Sequence, residues 1–241
     1  MRVILLAGLF ATAVLAQSPA FEVASVRLNQ TQFDPPRSQV SGPRAAWTAY
    51  PFEGLLMGAY DVRSYQISGG PAWMEDRFDI EAKAPGDGEL SRTQARDVLR
   101  AVLEDRFHLK VHRENKQMAI FALVVAKGGP KLKASAADAQ PGMTLGGRGQ
   151  MVEMKFTGWS MARLAQQIEG NENRKVVDQT GLAGNYDFTL NYLQDRRADA
   201  PKQDGPSLFV AVQEQLGLKV ESQKGQVEML VVEHADRPSA N

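Results

Sequence analysis

The chain has 241 residues and 43% hydrophobic content, which suffices for one large domain or two small ones with real cores. Lysine plus arginine and aspartate plus glutamate both number 28, so the net charge of zero gives no electrostatic support for binding nucleic acid or anionic lipid. The chain contains no cysteine, which excludes disulfides, thiolate zinc sites and cysteine nucleophiles.

The first residues have the pattern of a cleavable signal peptide. Arg2 provides a short positive region, residues 3–15 form an apolar run, and small residues precede Gln17. An apolar run of about 13 residues is shorter than the roughly 20 that span a bilayer. We therefore expect a signal peptide at 1–16 and an exported mature chain, periplasmic or extracellular, that does not span the membrane.

The mature first half alternates short strands with helices of two to four turns. In chain order the pattern predicts a strand at 21–28, an irregular stretch at 30–44, a helix at 52–60, a strand at 77–83, a helix at 92–104 with Ser91 as its N-cap, and a hairpin of strands at 108–113 and 118–125.

The second half predicts a similar series. A linker at 133–150, rich in alanine and glycine, precedes a helix at 160–169, a short strand at 176–177, a strand at 186–192, a helix at 207–216, and a second hairpin of strands at 218–221 and 227–233 about a turn at Gly225.

Local sequences match between the halves. RFDI at 77–80 corresponds to NYDF at 185–188, and VLEDRFHLKV at 102–111 corresponds to VQEQLGLKV at 212–220. We therefore predict an α+β fold made by tandem duplication, with helices packed on short sheets. The predicted units are 21–132 and 151–241, separated by the linker.

Long segments of the mature chain, among them FEVASVR at 21–27, RFDIEAKAPG at 77–86 and VVDQTGLAGNYDFTLNY at 176–192, resemble a soil-associated, acidobacterial family of exported proteins defined only as a domain of unknown function. The resemblance implies bacterial export and no particular activity. In the order of its elements, 156–233 is also similar to the short N-terminal domain of secretins and TonB-dependent receptors. That similarity implies protein binding in the periplasm without chemistry.

A possible nucleophile is Ser160, because Gly158-Trp159-Ser160 approaches the G-x-S-x-G pattern of serine hydrolases, with Asp178 or Asp187 and then His234 in the expected order. The alternative is that Ser160 caps a helix. The second interpretation is favoured, because Pro51 stands at the matching position of the first half and proline also begins helices.

The histidines and aspartates offer further candidates with ordinary alternatives. His108 and His112 suggest a metal pair, but four residues of strand span about 13 Å, which favours an exposed face instead. Asp79 and Asp187 suggest paired carboxylates, but matching positions in two copies favour a repeated hydrogen-bonding role beside a turn.

The remaining motifs favour structure over chemistry. The turn at 178–181 resembles the D-T-G of aspartic proteases with an extra residue, and the turn at 69–71 is too short to bind phosphate. Trp73 is interpreted as a core residue beneath its loop.

These interpretations assign no catalytic, cofactor-binding or metal residue and predict no cofactor. The function we expect is a non-catalytic binding or interaction module of the bacterial cell envelope, with an envelope protein or cell-wall component as partner. The alternative is an exported hydrolase whose site lies between the two repeats and uses Asp79, His108, His112 or His234.

Overall fold

The computed structural model describes residues 21–31, 34–193 and 205–238. The predicted signal peptide at 1–16 lies outside these residues. Within them the chain forms four helices and three small sheets, with 45% strand and 23% helix. The fold is therefore mixed α+β with more strand than helix, which agrees with the predicted α+β class.

Each α-helix begins or ends at a residue suited to that position. The helices are α1 (Phe52–Tyr60), α2 (Arg92–Arg106), α3 (Met161–Glu172) and α4 (Leu208–Leu216). Ser91 begins α2 with a capping box, in which its hydroxyl accepts the Gln94 N–H, and Gly217 ends α4 in the left-handed conformation.

The strands lie between the helices in a repeated order. They are β1 (Val23–Asn29), β2 (Arg37–Ser41), β3 (Arg44–Pro51), β4 (Ile67–Gly69), β5 (Arg77–Lys83), β6 (Lys110–Val125), β7 (Lys133–Ala134), β8 (Gly142–Arg148), β9 (Met151–Trp159), β10 (Val176–Asp178), β11 (Tyr186–Leu193) and β12 (Leu218–His234). The series three strands, helix, two strands, helix, strand thus occurs twice along the chain.

The chain divides into two compact units. Unit 1 comprises the described residues up to Asp61, Gly70–Lys110 and the described residues from Glu233 onwards, and unit 2 comprises Val62–Gly69 and Val111–Val232. This division differs from the predicted units 21–132 and 151–241, because residues 62–69 and 111–132 of the first predicted unit belong to unit 2.

Unit 1 has one antiparallel sheet with the strand order β1-β5-β3-β2, and α1 and α2 pack together against it. Alternation along β5 buries Phe78, Ile80 and Ala82. Phe52 and Phe107 join Phe78 in an aromatic cluster, with ring centroids 5.0–6.4 Å apart. These rings pack with buried aliphatic residues such as Leu55 and Leu99 in this core.

Unit 2 contains the other two sheets. One is antiparallel with the order β7-β11-β9-β8, and α3 and α4 pack on its apolar face, with Phe156, Leu164 and Leu190 in the core. The other sheet has the order β10-β6-β12-β4. In it β10 runs parallel to β6 and β4 runs parallel to β12, so each short strand pairs with a long strand from the other half of the sequence.

The two predicted hairpins are wrong. β6 and β12 are single long strands that lie side by side. The polar residues at 114–117, which suggested a turn, are on an exposed part of β6. Gly225 suggested a turn as well, but a Cβ atom there would lie 2.3 Å from Ile120 Cδ1, so the glycine leaves room for a neighbouring side chain.

Two stretches predicted to lack regular structure form edge strands. The predicted linker at 133–150 contains β7 and β8, and the predicted irregular stretch at 30–44 contains β2. Every residue of β2 and β8 is exposed. An exposed edge strand has no buried face to impose alternation, so its sequence resembles that of a loop.

Candidate interaction surface

Asp79 supports the backbone just before α1. Its Oδ1 accepts the Ala49 N–H at 2.8 Å and the Asn29 side-chain amide at 2.8 Å. Ala49 has a φ of 56°, and the register of β3 against β5 shifts at this point. The carboxylate therefore stabilises a bulge at the end of a strand, a structural task of the kind the sequence predicted.

Asp187 does the same before α3. Its Oδ1 accepts the Gly158 N–H at 2.9 Å and the Ser135 hydroxyl at 2.5 Å, and Gly158 has a φ of 65°. The Ser135 and Gly158 hydrogen bonds hold the pKa of Asp187 below its ordinary value. The repeated hydrogen-bonding role predicted for the two aspartates is confirmed.

Ser160 and Asp178 have local structural partners. The Ser160 hydroxyl accepts the Arg163 N–H at 3.3 Å, so its role as the N-cap of α3 is confirmed. Asp178 Oδ1 accepts the N–H and the hydroxyl of Thr180 at 3.0 and 2.8 Å, which makes this segment an Asx turn.

Two of the three histidines converge on one carboxylate in unit 1. His108 Nδ1 and His234 Nε2 lie 3.1 and 3.2 Å from Asp236 Oδ2, and the two imidazoles hold the pKa of Asp236 below its ordinary value. The His108, His234 and Asp236 side chains are 69%, 49% and 53% exposed. This cluster is a solvated surface group. The sequence analysis named both histidines, but it missed Asp236, which belongs to no motif.

His112 does not share a strand with His108 as predicted. His108 precedes β6 and has a φ of 48°, whereas His112 lies within β6. Over the described ranges, no group of three or more His, Asp and Glu side chains is arranged to hold a metal ion. Of the helices described, none has the length and apolar character needed to cross a membrane.

Trp73 packs within unit 1 rather than facing a ligand. Its ring lies 4.7 Å from Phe52 and stacks on Phe107 at 6.3 Å, and the Arg237 guanidinium is 5.8 Å above it. The interpretation of Trp73 as a packing residue is confirmed. Gly69, at the turn beside it, is part of β4 and pairs with Val232.

Exposed apolar side chains concentrate on edge strands. Six large hydrophobic residues of the described chain are exposed, and five of them lie on β1, β2 or β8, the terminal strands of the two antiparallel sheets: Val23, Leu28, Val40, Met143 and Leu145. A terminal strand also has a row of backbone N–H and C=O groups without a neighbouring strand. These edges combine apolar contact area with backbone hydrogen-bonding capacity.

A groove of about 300 Å³ lies beside β2 in unit 1. Its floor contains the buried side chains of Trp47, Ala95 and Leu99, and Gly58 of α1 also lines it. Residues 38–40 of the edge strand line it as well, and alternation places Ser38 and Val40 on the same face of β2.

Two basic side chains line the groove. Of the nine described residues that line it, two are arginines, Arg92 and Arg96 of α2, and none is acidic. They are four positions apart, so they lie on the same side of the helix one turn from each other. Arg96 pairs with Asp61 at 3.2 Å, and that carboxylate is 75% exposed.

The edge of unit 2 differs in chemistry. Leu145 occupies a position on β8 that resembles that of Val40 on β2, since each pairs with a buried residue of the neighbouring strand. Met143 and Leu145 are 47% and 64% exposed, whereas Val40 is 39% exposed. α4 has nine residues against the fifteen of α2. This edge therefore has more exposed apolar area.

A family model described as "Protein of unknown function (DUF3738)" matches residues 53–235. The chain belongs to this family. The DUF3738 match begins inside α1 and ends just after β12, so it includes α2 and β8 but not β2. No curated protein and no solved structure matches the chain.

In this DUF3738 protein the groove beside β2 was not predicted from the sequence. Its arginines are ordinary surface residues of an amphipathic helix, and its strand was taken for an irregular stretch. The available signal was the alternation of Ser38 and Val40 with Arg37, Gln39 and Ser41, which is short and contains a single apolar residue, Val40.

Proposed function

We propose that this chain is an exported interaction module of the bacterial cell envelope that binds partner polypeptides through its free sheet edges. The observation that carries the proposal is the placement of five exposed apolar residues on terminal strands of the two antiparallel sheets. Extended segments of partner proteins add to such edges, because main-chain hydrogen bonds give affinity and alternate side chains give specificity.

We also propose that the module arose by tandem duplication. Support comes from the repeated order of eight elements and from the matching sheet orders β1-β5-β3-β2 and β7-β11-β9-β8. The bonds of Asp79 to Ala49 and of Asp187 to Gly158 supply a residue-level match. A duplicated unit offers two edges, so a partner with two binding segments gains affinity through effective concentration.

Export is the part of the proposal that N-terminal sequencing tests. The protein recovered from the envelope or medium of its host should begin at or near Gln17. Recovery of a chain that begins at Met1 from the cytoplasm alone would contradict export and leave the edge-binding proposal without its compartment.

Photo-crosslinking tests the interaction itself. A photoreactive residue at Val40 or Leu145 should capture a discrete polypeptide from the envelope fraction, and the charged edge variants Val40→Lys and Leu145→Lys should reduce capture by probes elsewhere on their strands. Lys155 is the control position, because it is 64% exposed but lies on the interior strand β9. Equal capture from all three positions would show nonspecific contact and contradict edge binding.

A hydrolase is the second candidate, favoured by the convergence of His108 and His234 on Asp236. An imidazole oriented by a carboxylate is the usual general base of such enzymes. Turnover of an envelope peptide or glycan that is abolished by His108→Gln or His234→Gln, with unchanged thermal stability, would favour it over the interaction module.

A further inference from the structure

We propose that the groove between β2 and α2 binds an extended acidic segment of a partner protein, which adds as a strand beside β2 and places carboxylates against Arg92 and Arg96. This inference rests on the proposed function and specifies the chemistry of one of its edges. It follows from the free strand edge, the apolar floor and the sign of the charge on the rim of the groove.

The extended conformation follows from the position of β2. Within the part of the chain that the structure describes, β2 pairs with β3 on one side and is the last strand of its sheet on the other. A peptide that pairs with the free side has alternate side chains about 6.5–7 Å apart on the same face. Those that share the face of Ser38 and Val40 enter the groove above Trp47 and Leu99. An apolar side chain on this face can contact the floor, and acidic side chains two residues before and after it lie on the same face.

The acidic character follows from the two arginines. Planar guanidinium groups form two parallel hydrogen bonds with a carboxylate, and such charged pairs are stronger than neutral ones. Arg96 already pairs with the exposed Asp61 carboxylate at 3.2 Å, so its guanidinium is accessible to a carboxylate that an acidic ligand would join or replace. A basic segment would instead face the like charges of Arg92 and Arg96, because Asp61 pairs with Arg96 but does not line the groove.

The edge of unit 2 provides an internal contrast. β8 has two exposed apolar residues, Met143 and Leu145. The helix in the matching position, α4, has nine residues where α2 has fifteen. A preference for acidic peptides should therefore belong to the β2 edge alone. Any binding at β8 should depend on apolar contact and respond little to salt.

The test uses the full mature chain and two blocked hexapeptide probes, Ser-Glu-Ser-Val-Ser-Glu and Ser-Gln-Ser-Val-Ser-Gln, in which every second residue places the two Glu or Gln side chains and the valine on the same face. Fluorescence polarisation should show at least about tenfold tighter binding of the Glu probe, a ratio that shrinks as salt screens the charges. Hydrogen exchange should slow in β2 on binding and remain unchanged in β8.

Variants assign the effect to the groove. Arg92→Gln with Arg96→Gln should remove the preference for the Glu probe. Arg37→Gln is the matched control, because Arg37 is on β2, the strand that the peptide would join, but does not line the groove. The removed Arg96–Asp61 pair is exposed, so the double variant should keep its thermal stability.

The outcomes separate the two proposals. Equal affinity for both probes, or an unchanged preference in the double variant, would overturn the acidic inference, while specific crosslinks at Val40 would still support edge binding. Binding of anionic vesicles with the same arginine dependence would also overturn it, because the groove would then be a general anion patch. Failure of both probes and of the crosslinks would overturn the acidic inference and the edge-binding proposal together.

Discussion

The residues Ala49 and Gly158 occupy the same backbone position in two different sheets. Each has a positive φ, and each donates its N–H to an aspartate. Only one of them is a glycine, although left-handed backbone is unfavourable for residues with a Cβ atom. The pair therefore tests how much the bulge depends on residue type.

Gly158→Ala should destabilise the protein by about 1–2 kcal/mol, because a left-handed alanine is strained and its Cβ would lie 3.1 Å from the Ala139 carbonyl oxygen. Ala49→Gly should change stability by less than about 0.5 kcal/mol, because relief of strain offsets the loss of a buried methyl worth about 0.8 kcal/mol. Urea denaturation of both variants measures the difference. Equal destabilisation by the two substitutions would contradict the assignment.

The lowered pKa of Asp187 predicts a loss of stability in acid. Its folded pKa lies below the ordinary 3.8, so its contribution is present above that value and disappears as the pH falls through the folded pKa. The stability gap between the native protein and Asp187→Asn should be widest near neutral pH and close on acidification. Asp87→Asn, at an exposed loop position, is the control. A gap that stays constant from pH 7 to pH 2 would show that charge at Asp187 does not matter.

At the scale of elements, α1 contains two glycines that differ in their surroundings. A Cβ at Gly58 would meet only Leu99 Cδ2 at an ordinary 3.7 Å, whereas a Cβ at Gly54 would meet Pro51 Cγ at 3.2 Å and Tyr50 Cδ1 at 3.3 Å. Gly58→Ala should therefore stabilise the protein by about 0.5–1 kcal/mol through higher helix propensity. It should also narrow the groove beside β2.

Gly54→Ala is the comparison, and it should give less than half of that gain because the proline ring must move. Thermal or urea unfolding checks both variants. A destabilising effect of Gly58→Ala would contradict this prediction. It would mean that a neighbouring side chain occupies the space beside Gly58, so that the groove is smaller than described.

The helices could be predicted from the sequence because their signals are local. Ser91, Ser160 and Ser207 each stand one residue before a helix, and each hydroxyl accepts a backbone N–H of the first turn. The interior strand β5 was equally clear, because its buried face imposes alternation. The edge strands β2 and β8 were not, because every residue in them is exposed.

At the scale of the whole molecule, the central sheet of unit 2 could not be predicted from local patterns. β4 pairs with β12, about 160 residues further along the chain, and β10 pairs with β6. A hairpin within each half was the simpler expectation, because neighbouring strands usually pair. The exchange of short strands between the halves has no signature in the spacing of apolar residues.

One buried charge reinforces this exchange. Glu169 of α3 is 6% exposed, and it accepts the Tyr65 hydroxyl at 2.9 Å and the Val176 N–H at 3.1 Å. Lys175 lies 3.2 Å from its carboxylate. Burial and the nearby Glu169 raise the pKa of Tyr65, which keeps the hydroxyl protonated as the donor. A residue from the first half thus satisfies a buried carboxylate in the second.

The exchange predicts that neither half folds completely alone. Fragment 21–132 lacks β12 as the partner of β4, and fragment 133–241 lacks β6 as the partner of β10 and Tyr65 as the donor to Glu169. The second fragment should therefore expose its unpaired strands and unfold without cooperativity, or associate with itself, whereas the first contains the complete sheet of unit 1 and should fold only that part. Mixed in equal amounts, the fragments should form a one-to-one complex with cooperative unfolding.

Circular dichroism and analytical ultracentrifugation measure this complementation. Glu169→Ala in the second fragment should weaken the complex, because the Tyr65 hydroxyl loses its partner within a buried site. Glu214→Ala, at an exposed position of α4, is the matched control. A second fragment that unfolds cooperatively as a monomer would show that the strand pairing between the halves is dispensable, and would return the chain to two independent repeats.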